Sequence, residues 1–115
     1  MKTINKKMLT LNQIIKLYEE GIEIEFSKSR KEKYLKGYYE FPEITIYTRN
    51  IESREDMHIT ILHELIHARN QQKNNDQKVI NREKQVEKEA QKTYSKRPHL
   101  IELIKNIYNI DNSID

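Results

Sequence analysis

The sequence contains one short motif whose residue types and spacing suit a metal-dependent hydrolase, the pentapeptide His63-Glu64-Leu65-Ile66-His67. In a helix, residues four apart lie on one face, one turn from each other. The two imidazoles can then hold one Zn²⁺ at about 2.0–2.1 Å each. Glu64 follows the first histidine and can take a proton from the attacking water as general base. The motif therefore predicts a zinc site with a catalytic carboxylate beside it.

The frequency of the motif and the residues around it favour a metal-binding role over a chance occurrence. A random His-Glu-x-x-His is expected in well under about one in a hundred chains of this length. The motif also lies in the most apolar predicted helix of a polar chain, beside Ile61, Leu62 and Ala68. Polar side chains in such a helix need partners, because burial without them is costly. A zinc ion would be that partner for both histidines.

A third zinc ligand must come from another element, because catalytic sites have three protein ligands and structural sites four. Glu87 is favoured, since it lies twenty residues after His67 on a third predicted helix. The small Ala90, three positions later, lets the two helices approach each other. The alternatives are Glu83, which falls nearest the middle of the apolar stripe of that helix, Glu89 and His99.

The remaining elements position this helix, and their periodicities predict an α+β fold. Apolar residues three and four apart predict helices, and strict alternation predicts half-buried strands. We expect a small three-stranded antiparallel sheet packed on the motif helix, with about three further helices. The predicted helices cover residues 11–20, 53–71, 77–95 and 98–108, and the predicted strands cover 22–26, 34–41 and 44–47.

Length and composition bound the class of protein. With 115 residues, 36% of them hydrophobic and 34% charged, the chain is expected to form one domain, residues 1–115. The absence of cysteine excludes disulfides, iron–sulfur clusters and cysteine-ligated zinc fingers. No run of about 18 apolar residues predicts a membrane span, and no apolar stretch follows the first lysines as in a signal peptide. We therefore expect a soluble cytoplasmic protein.

The net charge of +3 raises the question of nucleic-acid binding. Much of the basic excess lies in Lys28, Arg30, Lys31 and Lys33, whereas charges elsewhere alternate in sign. Alternation is typical of solvated helix faces and not of a phosphate-binding surface. A basic nucleic-acid module is therefore the weaker interpretation.

The motif, followed by a Glu-x-x-Ala at residues 87–90, resembles the gluzincin metallopeptidases. The resemblance implies that His63 and His67 bind zinc, that Glu64 is the general base and that Glu87 is the third ligand. In this clan the residue after Glu-x-x-Ala is usually an aspartate or asparagine that orients the first histidine, and here it is a glutamine.

The small size and the order of elements resemble the minigluzincins, minimal soluble versions of the zincin-like catalytic domains of membrane peptidases. In these proteins a histidine can be the third ligand, which keeps His99 among the alternatives. The chain is also similar to the ImmA/IrrE-like regulatory peptidases, which share the motif and a Glu-x-Glu-Ala stretch like residues 87–90.

These features predict a zinc metalloendopeptidase with a peptide or protein substrate. Tyr94 and Tyr108 are candidates for stabilising the oxyanion beside zinc. In gluzincins the substrate lies antiparallel to an edge strand, and the strand expected to bind it here is Ile44–Thr48. The alternative outside the enzymes is a non-catalytic, zinc-stabilised dimer.

The C-terminal region, residues 98–115, is a candidate for control of activity. Its apolar helix can simply complete the core, whereas the resemblance to minigluzincins implies a zymogen held latent by this segment. A carboxylate such as Asp111 or Asp115 could take the position on zinc that water needs. The helix could instead dock on a second chain in a homodimer, which the short connection at Arg97-Pro98 favours.

Overall fold

The computed structural model describes residues 7–29, 34–73 and 83–110. They form four α-helices and a three-stranded sheet, so the predicted α+β class is confirmed. The helices are α1 (Leu11–Glu19), α2 (Arg54–Lys73), α3 (Glu83–Lys96) and α4 (His99–Tyr108); the strands are β1 (Glu23–Ser27), β2 (Gly37–Glu40) and β3 (Glu43–Tyr47), followed by a 3₁₀ helix at Thr48–Asn50.

Local sequence signals set both ends of α1. The backbone N–H of Gln13 donates to Thr10 Oγ1 at 3.2 Å, and the backbone N–H of Thr10 donates to Gln13 Oε1 at 3.1 Å. This reciprocal capping box satisfies two N–H groups that the first turn leaves without helical partners. Beyond the last turn, Gly21 has a φ of 93°, a backbone conformation that residues with a Cβ atom rarely adopt. The helix packs on α2 and α4.

The sheet is mixed, which corrects the prediction of an antiparallel sheet. The strand order is β1-β3-β2, with β1 parallel and β2 antiparallel to β3. Alternation of apolar and polar residues determines the two faces of a strand but not its direction. The sheet is mixed because β3 lies between the other two strands: β1 and β3 both run opposite to β2, so they pair with each other in parallel.

The inner face of the sheet packs on α2, and together they form much of the core. Ile44 and Ile46 of β3 are fully buried, as are Leu62 and Leu65 of α2. As its composition predicts, α2 is buried along most of its length, and it extends to Lys73, beyond the predicted end. The predicted third helix is described only from Glu83 onward; residues 77–82 lie outside the described part of the chain.

The C-terminal helix contributes to the same core. α4 buries Leu100, Ile101 and Ile104 and packs on α1. It ends at Asn109, whose left-handed backbone (φ 56°, ψ 48°) is typical of the residue after a helix. None of the helices in the described ranges is long and apolar enough to cross a membrane.

Candidate metal centre

α2 places the two histidines of the motif side by side. The ring centroids of His63 and His67 lie 4.9 Å apart. Their side chains keep 15% and 13% of their accessibility, whereas Glu64, Leu65 and Ile66 between them are buried. The apolar neighbours therefore anchor this turn of α2 in the core while both imidazoles contact α3.

One carboxylate of α3 contacts both imidazoles. Glu83 Oε1 lies 2.9 Å from His63 Nε2, and Glu83 Oε2 lies 3.0 Å from His67 Nε2. An ionised carboxylate only accepts hydrogen bonds, so each short contact needs a proton or a cation between nitrogen and oxygen. Burial opposes ionisation of Glu83, but the His67 and His63 imidazoles outweigh it and lower the pKa of Glu83.

These three side chains fit a zinc ion. Among the described residues, His63, His67 and Glu83 form a group whose ligand atoms all lie within 4.8 Å of one another. Ligands at about 2.0–2.1 Å from a tetrahedral zinc ion lie about 3.3 Å apart. The observed nitrogen–oxygen contacts of 2.9 and 3.0 Å therefore need to open only slightly. Two imidazoles and one carboxylate are ligands that catalytic zinc uses, with a fourth position left for water.

Glu87 lies behind His63. Its Oε1 is 2.8 Å from His63 Nδ1, the ring nitrogen that does not contact Glu83. Gln91 Nε2 donates to Glu87 Oε2 at 2.7 Å. A proton on Nδ1 that is donated to Glu87 leaves the Nε2 lone pair available to a metal. The geometry thus favours Glu83 as the third ligand and Glu87 as the group that orients His63.

Spacing alone favours Glu87 as the ligand, and the structure shows why spacing cannot separate the two glutamates. Glu83 and Glu87 lie four residues apart, so both project from the same face of α3 toward α2. Which of them reaches both histidines depends on how α3 is rotated and placed along α2. That placement comes from tertiary packing and not from the local sequence.

Glu64 is buried beside the histidines, where β2 approaches α2. Burial raises the pKa of Glu64 to about 7; nearby His63 lowers it and Glu83 raises it. A carboxyl group with a pKa near neutrality is suited to accept and return a proton. A Cβ on Gly37 would lie 3.0 Å from Glu64 Cγ and 2.9 Å from Thr60 Cγ2. The close approach of β2 to this carboxyl group therefore requires glycine.

A cleft of about 730 Å³ gives access to the site. It is lined on one side by His63, Glu64, His67, Glu83 and Glu87, and on the other by the segment 34–41 that contains β2. The segment bears three exposed aromatic side chains, Tyr34, Tyr38 and Phe41, with 95%, 48% and 54% of their surface accessible. The lining of the cleft therefore combines the polar centre with exposed aromatic residues.

The strand that borders the cleft is β2, so the prediction of Ile44–Thr48 as the substrate-binding edge is wrong. β3 is the central strand and pairs on both sides. At the β2–β3 pair, the Tyr47 N–H donates to the Lys36 carbonyl at 2.9 Å. Because antiparallel pairing alternates, the backbone groups of Gly37 and Tyr39 then point to the open edge.

The other candidate ligands lie away from the two histidines. Glu89 is buried and accepts two hydrogen bonds from Arg69. His99 is exposed at the first residue of α4 and does not line the cleft. The latency candidates Asp111 and Asp115 lie outside the described residues, as do residues 30–33 of the basic cluster.

The two oxyanion candidates are not brought to the cleft. Tyr94 lies with its hydroxyl 3.5 Å from His58 Nδ1. Tyr108 packs edge-on against Tyr18 with ring centroids 5.2 Å apart, and burial together with Tyr18 raises the pKa of Tyr108 to about 12. Neither Tyr94 nor Tyr108 lines the cleft. The tyrosines that do are Tyr34, Tyr38 and Tyr39.

Gly37 and β2 belong to the site although neither is predicted to do so from the sequence. The available signal was a lone glycine inside a β-prone segment, which often marks a close approach of another group to the backbone. The signal does not say which group approaches, because the partner is Glu64, distant in the sequence.

Comparison of the chain with protein-family models, with curated proteins and with solved structures gives no match. What the site can do therefore follows from its own geometry. It can hold a divalent metal ion, and it places a carboxyl group suited to proton transfer beside that ion at the wall of an open cleft.

Proposed function

We propose that the protein is a zinc-dependent peptidase, with His63, His67 and Glu83 as zinc ligands and Glu64 as general base. The observation that carries this proposal is the convergence of two imidazole nitrogens and one carboxylate beside the buried Glu64, at the wall of the cleft. When bound, zinc would polarise the scissile carbonyl and acidify the attacking water.

Glu64 accepts and then donates the proton that is transferred in the reaction. Its carboxylate takes a proton from the water whose oxygen bonds to the carbonyl carbon. Glu64 then gives that proton to the leaving nitrogen as the C–N bond breaks. Water has then been added across the peptide bond and Glu64 is again ionised. The side chain lines the cleft although it is largely buried, so it reaches the substrate with little competition from bulk water.

Glu87 and Gln91 hold the His63 ring in an orientation that suits metal binding. The Nδ1–H of His63 donates to Glu87, which fixes both the tautomer and the direction of the ring. Gln91 in turn holds the second oxygen of Glu87. Zinc can therefore bind without a large rearrangement of His63.

The substrate would bind as an extended strand along β2. Gly37 and Tyr39 offer backbone N–H and C=O groups at the open edge, and a peptide main chain supplies the complementary groups. The exposed rings of Tyr38 and Phe41 give its side chains an apolar surface. A peptide chain matches this combination of an open strand edge and aromatic rings.

We further propose that any C-terminal control of activity is confined to the residues after Ile110. The described residues of α4 do not line the cleft, and Leu100, Ile101 and Ile104 belong to the core. Deleting the chain from Pro98 would therefore unfold the protein. Deleting only residues 111–115 should raise peptide cleavage at equal zinc occupancy, if one of their carboxylates competes with water. Full activity in the intact chain, with no gain on this deletion, would contradict latency.

The proposed function is tested by zinc content and proteolysis in matched variants. We expect one zinc ion per chain and cleavage of an unfolded protein such as casein by the parent or by its 1–110 form. Glu64→Gln should retain zinc and lose at least about 10²-fold in rate. Glu55→Gln is the control, because Glu55 is an exposed glutamate of the same helix outside the cleft. Cleavage by Glu64→Gln at the parental rate, or a parent that binds no zinc, would overturn the proposal.

A further inference from the structure

Besides the metal centre and the contact of His58 with Tyr94, α2 and α3 share a third polar contact, a buried ion pair between Arg69 and Glu89. Arg69 Nη1 donates to Glu89 Oε2, and Arg69 Nη2 donates to Glu89 Oε1 at 2.9 Å. Arg69 Nε and Nη2 also donate to Asn70 Oδ1 at 3.1 and 2.7 Å. Both charged side chains retain only 7% of their accessibility. The pair is therefore bidentate, buried and fixed in direction as well as distance.

The ion pair joins the same two helices as the metal centre but at a different side of their contact. Arg69 follows His67 by two residues, and Glu89 follows Glu87 by two. Residues two apart on a helix do not share a face. The fully buried Ala68 and Ala90 adjoin the pair and let the helices approach closely. α3 is thus attached to α2 by directional contacts on two sides.

Stability alone does not account for this pair. Removing two charges from water costs free energy that their attraction only partly returns, and well-packed apolar replacements are often as stable or more stable. An apolar contact does not fix the relative orientation of two helices, because hydrophobic burial is non-directional. Small buried alanines such as Ala68 and Ala90 leave a helix free to turn slightly about its axis. A bidentate arginine–carboxylate pair does not allow that rotation.

We infer that the Arg69–Glu89 pair is a positioning device for the metal centre, which fixes the rotation of α3 so that Glu83 reaches both histidines. The inference rests on the proposed function. A side-chain atom about 6 Å from a helix axis moves by about 2 Å when the helix turns by about 20°. A shift of that size would take the Glu83 carboxylate out of reach of a metal held by His63 and His67.

The test replaces the pair by apolar residues of similar size, Arg69→Met/Glu89→Leu. The control, Arg54→Met/Glu55→Leu, makes the same substitutions at exposed positions near the start of α2. Three quantities are measured on each chain: the melting temperature without metal, the zinc dissociation constant by competition with a chromophoric chelator, and the visible absorption spectrum with Co²⁺.

We expect the Arg69/Glu89 variant to melt at or above the parental temperature while its zinc dissociation constant rises about tenfold to a hundredfold. Its Co²⁺ spectrum should differ from that of the parent, and the control should match the parent in all three quantities.

An unchanged zinc dissociation constant with a parental Co²⁺ spectrum in the Arg69/Glu89 variant would overturn the inference and leave the proposed function intact. A parent that binds no zinc would overturn both. If the double variant fails to fold, the same measurements are made on Arg69→Lys. Lysine keeps the positive charge but cannot form the bidentate contact with the carboxylate. We then expect weaker zinc binding in a folded chain, and parental affinity in Arg69→Lys would equally overturn the inference.

Discussion

The cleft side of the molecule and the side where α1 packs on α4 are built from opposite kinds of contact. At the α1–α4 side the buried residues are mostly aliphatic, such as Ile14, Leu17, Leu100 and Ile104. At the cleft the contacts join imidazoles to carboxylates, and the backbone of a glycine lies too near a carboxyl group to leave room for a Cβ. Apolar contacts tolerate small shifts, whereas hydrogen bonds and metal ligation depend on direction. We therefore expect that substitutions can alter the stability of the fold and the chemistry of the site separately.

The largest expected effect comes from removing a ligand on the cleft side. His63→Ala should lower zinc affinity by about a thousandfold or more, because the two remaining ligands hold zinc poorly. The melting temperature of the metal-free chain should change little, since the imidazole is not part of the apolar core. Zinc content after gel filtration and thermal unfolding measure the two quantities. Stoichiometric zinc in a His63→Ala/His67→Ala chain would show that the metal, if bound, lies elsewhere.

The reciprocal effect is expected on the α1–α4 side. Ile104→Ala removes a buried side chain that is 1% exposed, and it should lower the free energy of unfolding by about 2–5 kcal/mol. Zinc stoichiometry and affinity, measured below the melting transition, should remain parental. Denaturant unfolding gives the first quantity and chelator competition the second. A loss of zinc affinity in the folded Ile104→Ala chain would mean that the two sides are coupled.

Sequence patterns predicted the α1–α4 side better than the cleft. Periodicity identified the apolar faces of α1 and α4, because those faces follow from the spacing of Ile and Leu alone, and composition identified α2 as the buried helix. The motif likewise placed His63, Glu64 and His67 together, because all three lie on one helix. The parallel pairing of β1 with β3 was not predicted, and the substrate edge was assigned to the wrong strand, because both depend on the order of the strands in the sheet. The choice between Glu83 and Glu87 also needed the packing of α3.

The two glutamates of α3 give a sharper test of the cleft geometry. Glu83→Gln should weaken zinc binding about tenfold more than Glu87→Gln, because Glu83 contacts both Nε2 atoms, whereas Glu87 contacts His63 at Nδ1. Glu87→Gln should itself raise the zinc dissociation constant by about tenfold. Chelator competition on the two variants, with Gln85→Ala as an exposed control on the same helix, measures the difference. The reverse order would identify Glu87 as the third ligand, as spacing favoured.

The smallest effects, and the cleanest separation of the two sides, are expected from the two glycines. A methyl group on Gly21 would meet nothing within 4 Å, but the residue has a φ of +93°, so Gly21→Ala should cost about 1–2 kcal/mol of stability through backbone strain.

Gly37 has no such φ, but its Cβ would meet Thr60 Cγ2 at 2.9 Å and Glu64 Oε2 at 3.1 Å. Gly37→Ala should therefore displace β2 or Glu64 by a few tenths of an ångström and lower kcat/KM about tenfold, because catalysis is sensitive to small misplacements of reacting groups. Zinc affinity should be parental in both variants, since neither glycine contacts a ligand directly. Thermal unfolding and peptide cleavage at saturating zinc, measured side by side, should show a lower melting temperature with parental kcat/KM for Gly21→Ala. Parental kcat/KM in Gly37→Ala would contradict the role assigned to β2 as the wall that holds substrate against Glu64.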